Sequence, residues 1–350
     1  MAVYKIFPTK DTTLYEQFPS MNTGLDQILE ASSYYSNGSR YKSRYLIQFA
    51  TEDIQNVIDT KVTNSFDVFL RNFNASTSGL SLDTDLYFYT VSGSWGMGSG
   101  YYGNSQVTEN GASWVWKDVS GSVEWETAGG DFNPTPVYSQ SFAYGSTLDV
   151  NVNVKTTIET WYSGSVPNNG FIVKLSDAVE GSNNTNIQPK FKNFSIDTNT
   201  IYPPYLEFKW DDYNFNTGSS TSTILDTPES FVSIYNNAGE YYSDSTPRFR
   251  LAAVRKYPDR QFITASYYTD NNYLPESQSL YAIKDSSTNE FVVDFDPTYT
   301  RISADSTSSY FDVHMNGLEP ERYYTVLIKT VIGGVTKVWG EDIMFKVNKG

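Results

Sequence analysis

The side chains able to carry acid–base, metal or nucleophilic chemistry are few and scattered in this 350-residue chain. It has no cysteine and one histidine, His314. The first fact removes thiol nucleophiles, thiolate metal sites and disulfides together. The second excludes a multi-histidine zinc site by count, and the place of His314 in an apparent strand argues against its being the histidine of a Ser-His-Asp triad. His314 stands between Val313 and Met315 at the end of a predicted strand, where a packed or surface ring is the expectation. Carboxylates remain. Asp211 with Asp212, Asp294 with Asp296, and Glu341 with Asp342 have the oxygen chemistry for a hard cation, or for the acid and nucleophile of a glycosidase. No EF-hand spacing frames them, and glycosidase carboxylates meet only in three dimensions, so solvated strand ends and turns are the simpler reading. No catalytic residue, metal ligand or cofactor is assigned.

Aromatic stacking is the other chemistry on offer. Between about residues 92 and 147 the chain loosens into Gly, Ser and Trp, with Trp95, Trp114, Trp116 and Trp125 close together and Tyr101 and Tyr102 among them. A linker is polar, whereas tryptophans at this density must be packed against something or offered to something. Flat rings bury the apolar face of a pyranose while nearby polar groups read its edges. Trp95, Tyr101, Tyr102, Trp114 and Trp116 are therefore the candidate glycan or protein interface. The competing expectation, preferred here, is that these rings are covered by the chain's own core or by a neighbouring subunit.

The elements that must position these residues are strands. Ser, Thr and Asn total 102 residues, with 28 Tyr and 21 Phe, a mixture suited to pleated surfaces and turns and poor for long helices. Short apolar runs bounded by turn residues predict strands at 3–7, 12–15, 45–49, 65–73, 85–91, 148–152, 170–175 and 206–210. Helical candidates are 52–58, with Thr51 as N-cap, and 154–162. Gly129 and Gly130 before Asp131 predict a tight turn. Near Pro203 and Pro204 the pattern changes, and 211–229, containing Gly218 and a Ser/Thr run, reads as a linker or crossover. Beyond it, strands are predicted at 231–235, 248–255, 261–268, 291–295, 310–315, 323–331 and 343–347, enough for one small sandwich. The fold class is all-β, with domains at 1–210 and 230–350.

Charge excludes more. The net formal charge of −15 is shared almost evenly, −8 over residues 1–210 and −7 over 211–350. The densest basic stretch, 248–260, is interrupted by apolar residues, so no nucleic-acid partner is expected. Mean hydropathy is −0.44 and no run approaches the length of a membrane span, so no membrane insertion is expected. Polar Thr9, Lys10 and Asp11 follow the opening apolar residues at once, which leaves no room for a signal-peptide core and points to synthesis in the cytoplasm. The sequons at Asn37, Asn74, Asn183 and Asn193 are discounted for the same reason.

Two pieces of the sequence resemble known domains. Asp11 to Tyr15 with Asn22 and Gly24, then Arg44 to Phe49, then Gly111 to Trp114 with Trp125, Gly129, Gly130 and Asp131, and finally Trp161 with Asn168 to Phe171, resemble in order the DNRLRE-type, carbohydrate-binding-module-like jelly roll. In the second domain Gly317, Leu318, Glu319 and Pro320 lead to Tyr324, Val326 and Ile328, similar to the tyrosine corner of fibronectin type III and immunoglobulin-like domains, with Leu318, Pro320 and Tyr324 as its structural residues. The whole chain, from its opening Met1 to Tyr15, also resembles virion structural proteins of contractile-tailed phages that infect marine cyanobacteria.

These resemblances imply a jelly-roll-like sandwich followed by an immunoglobulin- or fibronectin-like one. They imply a non-enzymatic particle component, in tail, baseplate or neck, present in several copies and meeting other virion proteins. A carbohydrate-binding adsorption module facing a host-surface glycan and a capsid decoration protein are the alternatives. A polysaccharide-cleaving enzyme is the remote one.

Overall fold

A computed structural model describes residues 2–80, 83–103, 110–143, 145, 147–218, 223–257, 272–340 and 342–350. The protein is all-β, built of several antiparallel sheets with sandwich-like packing. Its α-helices among the described residues are short, Thr51–Thr60, Lys155–Tyr162 and Asp177–Glu180. The chain divides into two compact units. One comprises Lys5–Lys61 and Asp67–Glu207, the other Met1–Tyr4, Val62–Phe66 and Phe208–Gly350.

In the first unit an eight-stranded sheet runs in the order Phe132–Phe142, Thr84–Val91, Phe171–Leu175, Ser39–Phe49, Ile28–Ser36, Lys190–Phe194, Asn74–Ser78, with Pro8–Tyr15 paired to Ser39–Phe49. Strand Phe171–Leu175 is buried at every position, as a central strand covered on both faces must be. On one side Tyr45 receives the amides of Asn72 and Asn193 on its hydroxyl, at 3.3 and 3.2 Å. Asn72 ends strand Phe66–Asn72 of a different, four-stranded sheet, so this bond joins two layers. The helix Lys155–Tyr162 buries Ile158 and Trp161, and the Trp161 ring lies 4.9 Å from Phe171. On the other side Leu14, Leu46 and Ile172 meet the tryptophan-rich excursion.

The second unit holds two further sheets. One runs Ser230–Ile234, Arg248–Arg255, Ser309–Asp312, Ser303–Ala304. The other runs Glu240–Tyr242, Met344–Asn348, Arg322–Ile332, Ser279–Asp285, Phe291–Val293, with Val335–Trp339 also paired to Arg322–Ile332. Alternation along these strands sorts side chains cleanly. Tyr324 opposes Phe345, and Val326 opposes Ile283, all within the core that also takes Phe249, Tyr281, Phe311 and Leu318. Tyr323 opposes Lys346 and Thr325 opposes Lys284, on the outer face.

Several expectations change in detail. Thr51 is the first helical residue and not the cap; Ala50 holds that position without a side-chain bond, and the Thr51 hydroxyl instead receives the Asn168 amide. The excursion after residue 92 contains the eleven-residue strand Phe132–Phe142, which carries Pro134 and Pro136. It tolerates them as an edge strand with a register shift between Asn133 and Val137. The strand predicted at 310–315 ends at Asp312 and gives way to a 3₁₀ turn at Met315–Gly317. The one predicted at 291–295 ends at Val293. Leu225, inside the stretch read as a linker, is buried in the second unit's core, and Asn216 donates to the Ala304 carbonyl. The strand predicted at 261–268 lies outside the described residues.

Candidate functional site

The aromatic excursion is held down by a buried asparagine. The Asn22 amide donates to the Met97 and Ala112 carbonyls at 2.8 and 2.7 Å. Its Oδ1 accepts from the Gly24 and Gly100 backbone at 3.1 and 2.9 Å. One side chain thus satisfies four main-chain groups that a loop docked on a sheet would otherwise leave unpaired. The backbone must come close for this: at Gly98 a Cβ would lie 2.3 Å from Asn22 Oδ1, so only glycine fits.

Trp95, Trp114 and Trp125 are buried in one cluster with Leu14, Leu46, Val91 and Ile172. The indole N–H of Trp95 donates to the Asn169 carbonyl at 2.9 Å and that of Trp125 to Ser113 at 2.8 Å, the partners a buried indole needs. Gly129, at φ +93°, approaches the Trp114 ring so closely that a Cβ would lie 2.7 Å from it. Arg44 passes beneath. Its guanidinium is 5.3 Å from the Trp114 centroid, gives Nη1 to the Gly129 carbonyl at 3.0 Å, and holds the Glu180 carboxylate through Nε and Nη2 at 3.1 and 2.6 Å. Buried Lys174 also reaches Glu180, at 3.3 Å, and pairs with Asp177; that Lys174 bond holds the Asp177 carboxyl below its ordinary range.

The loop's own carboxylates close its turns. Asp118 accepts from the Ser120 hydroxyl at 2.6 Å and from the Ser120 and Gly111 backbone. The Ser120 hydroxyl, first among these bonds, pulls its pKa down. Burial works to raise Asp131, but the Lys117 ammonium at 2.8 Å and the backbone of Glu126 and Thr127 hold it low. These are structural roles.

Of the five rings singled out by sequence, Trp95 and Trp114 are therefore covered, and Trp116 is half-buried in a two-stranded ribbon with Val123–Glu124. Tyr101 and Tyr102 are exposed. Tyr102 leans on Tyr15 and Phe18, at ring separations of 5.0 and 6.2 Å. Its hydroxyl pKa is raised by partial burial and by the nearby charges of Glu30 and Asp26. The two tryptophans best suited to stacking on a sugar do not face solvent in the chain itself.

Elsewhere, Tyr324 is buried and its hydroxyl donates to the Glu319 carbonyl at 2.9 Å. Leu318 is buried and Pro320 half-buried. His314 bonds Thr246 Oγ1 through Nδ1 at 3.0 Å, between the rings of Tyr4 and Trp210. Asp211 accepts from Arg301. Asp294 and Asp296 each accept backbone N–H groups of the residues just after them, and Glu341 lies outside the described residues. Among the described residues no group of three or more His, Cys, Asp or Glu is placed to hold a metal ion. No described helix is long and apolar enough to cross a membrane. Neither Asn22 as a clasp nor the Arg44–Glu180 pair stands out in the sequence. Sequence named Asn22 and Arg44 only as an asparagine two residues before Gly24 and an arginine opening an apolar strand, and their roles become intelligible only once the loop is seen to fold back.

No family model matches the chain, and no curated protein matches it. Among solved structures, an FMN-binding beta-glucuronidase from Facaelibacterium prausnitzii L2-6 is similar at 10% identity. The alignment covers 97% of this chain and 39% of that one, at a TM-score of 0.22, a value that carries no argument about fold or activity.

Proposed function

We propose that the chain is a non-enzymatic structural component of a phage particle, in the tail, baseplate or neck, working through protein–protein interfaces in several copies. The observation that carries this reading is where large apolar side chains remain open. Three of the four loop tryptophans are packed inside, whereas Phe231, Tyr242, Tyr257 and Tyr323 of the second unit are 58, 61, 72 and 55% exposed. Tyrosine and phenylalanine offered in this way supply large contact area at low entropic cost. The fold proposed with it is a jelly-roll-like first unit and an immunoglobulin- or fibronectin-like second unit. The layered sheets support the first, and the Tyr324–Glu319 bond supports the second. Electron microscopy of intact particles tests the function: density for this chain at a repeated position on the tail or neck supports it, and its absence from purified particles overturns it.

A second reading, glycan binding in adsorption, rests on the exposed Tyr101 and Tyr102 beside Phe18. Replacing both by Ala and measuring retention on host-surface polysaccharide tests it. Unchanged retention, or none in the parent protein, removes this reading.

A further inference from the structure

The outer face of the second unit's six-stranded sheet combines open apolar side chains with an acidic and a basic residue, Glu240 and Lys284, that are hydrogen-bonded but form no ion pair among the described residues. Register places Tyr323 opposite Lys346, which opposes Glu240, and places Thr325 between Met344 and Lys284, which opposes Phe291. Tyr242 shares the Glu240 edge, since it pairs two residues farther along the same parallel ladder. Tyr242, Tyr323, Met344 and Phe291 are all exposed. The face therefore has an apolar centre at Tyr323 and Met344, an acidic edge at Glu240 with Tyr242 beside it, and a basic edge at Lys284 with Phe291 beside it. Glu240 takes a hydrogen bond from Asn348 and Lys284 gives one to Asn289. Among the described residues neither forms an ion pair; Lys346, opposite Glu240, feels its charge but bonds Glu321. The Lys284 ammonium rests 4.6 Å from the Phe291 centroid.

We propose that this face binds a second copy of the same chain about a two-fold axis passing near Tyr323 and Met344. In a two-fold interface, if one residue of the first copy meets a second residue of the other copy, the reciprocal contact forms as well, and only residues on the axis meet their own counterparts. Rotation about that axis carries the Glu240 edge of one copy onto the Lys284 edge of the other, so the two opposite charges are matched twice and Tyr242 meets Phe291. The apolar centre closes on itself. A different acidic protein would satisfy Lys284 but leave Glu240 facing a like charge, which is why the second copy is the occupant argued for. This deepens the reading of the chain as an interface protein. Location in a particle and self-association are measured separately, so either can fail without the other.

Sedimentation velocity of the full chain from about 1 to 100 µM tests the proposal, with thermal unfolding run on every variant to confirm folding. The expected result is a concentration-dependent dimer that Glu240→Lys and Lys284→Glu each weaken at least about tenfold. The combined swap of both charges should return the dissociation constant to within about threefold of the parent. Tyr323→Ala should abolish the dimer. A chain that stays monomeric to 100 µM overturns the proposal, as does a dimer indifferent to these substitutions or one that the double swap does not restore.

Discussion

The two units treat charge and aromatic surface in opposite ways. In the first, Lys5, Asp11, Glu30, Arg44, Lys174, Glu180 and Glu207 are all buried, and three tryptophans lie under a folded-back loop. In the second, Asp285 is the only buried charged residue among those described. Its arginines work near the surface instead, as Arg248 with Asp312 and Arg250 with Asp305 do, both at 2.8 Å, while its exposed tyrosines and phenylalanines have no cover. Burying ions is costly unless each is paired and hydrogen-bonded. The first unit meets that cost at Arg44, Lys174 and Glu180 with an internal network and buries three of its loop tryptophans, although Tyr101 and Tyr102 stay exposed. The second leaves its apolar surface to be covered from outside, which is what an interface requires.

The contrast is broken most directly at a buried tryptophan of the loop. Trp114→Ala should destabilise the first unit by about 3–5 kcal/mol in urea denaturation. A loss under about 1 kcal/mol would mean that the loop is not part of the core. The buried charges make the next test. Burial, with smaller contributions from Asp197 and Asp26, raises the Asp11 carboxyl to about 8 despite its bond from the Ile196 N–H. A carboxyl whose folded pKa is raised contributes stability that is complete below the unfolded value and is lost as pH rises toward the folded one. Stability should therefore fall by at most about 1.4 kcal/mol per pH unit between about pH 4 and 8 from this group, and Asp11→Asn should flatten that slope. Denaturation at pH 5 and 8 for both proteins decides it.

Smaller effects sharpen the second unit. Tyr324→Phe removes only the hydroxyl bond to Glu319 and should cost about 1 kcal/mol. No measurable change would show that the bond adds nothing to stability. Tyr323→Ala, one residue away but on the outer face, should change monomer stability by no more than about 0.5 kcal/mol, even as it removes association. A large loss of monomer stability would place that ring in the fold and not in an interface.

Sequence made strands legible where apolar residues crowd together, as at Phe171–Leu175 and Arg248–Arg255. It hid those whose residues are mostly polar or interrupted. Asn74–Ser78 has no large apolar side chain and survives by pairing with Lys190–Phe194. Phe132–Phe142 contains two prolines that only an edge position permits. Val335–Trp339 follows a Gly333–Gly334 turn and looks too short and polar to stand alone. The aromatic candidates were legible as residues but not as surfaces. Whether Trp114 faces solvent depends on Arg44, Gly129 and Asn22, which lie far apart in sequence and meet only when the loop returns to its sheet.

The Asn22 clasp has an evolutionary consequence. On the loop it grips the Met97 and Ala112 carbonyls and the Gly100 amide, main-chain groups and never a loop side chain. Substitutions at solvent-facing positions among residues 97–103 and 110–112 can therefore accumulate without loosening the attachment, provided that the close approaches at Gly98, Gly100 and Gly111 are kept. These residues should diverge quickly in outward chemistry between descendants of a common ancestor while keeping their main-chain bonds to Asn22.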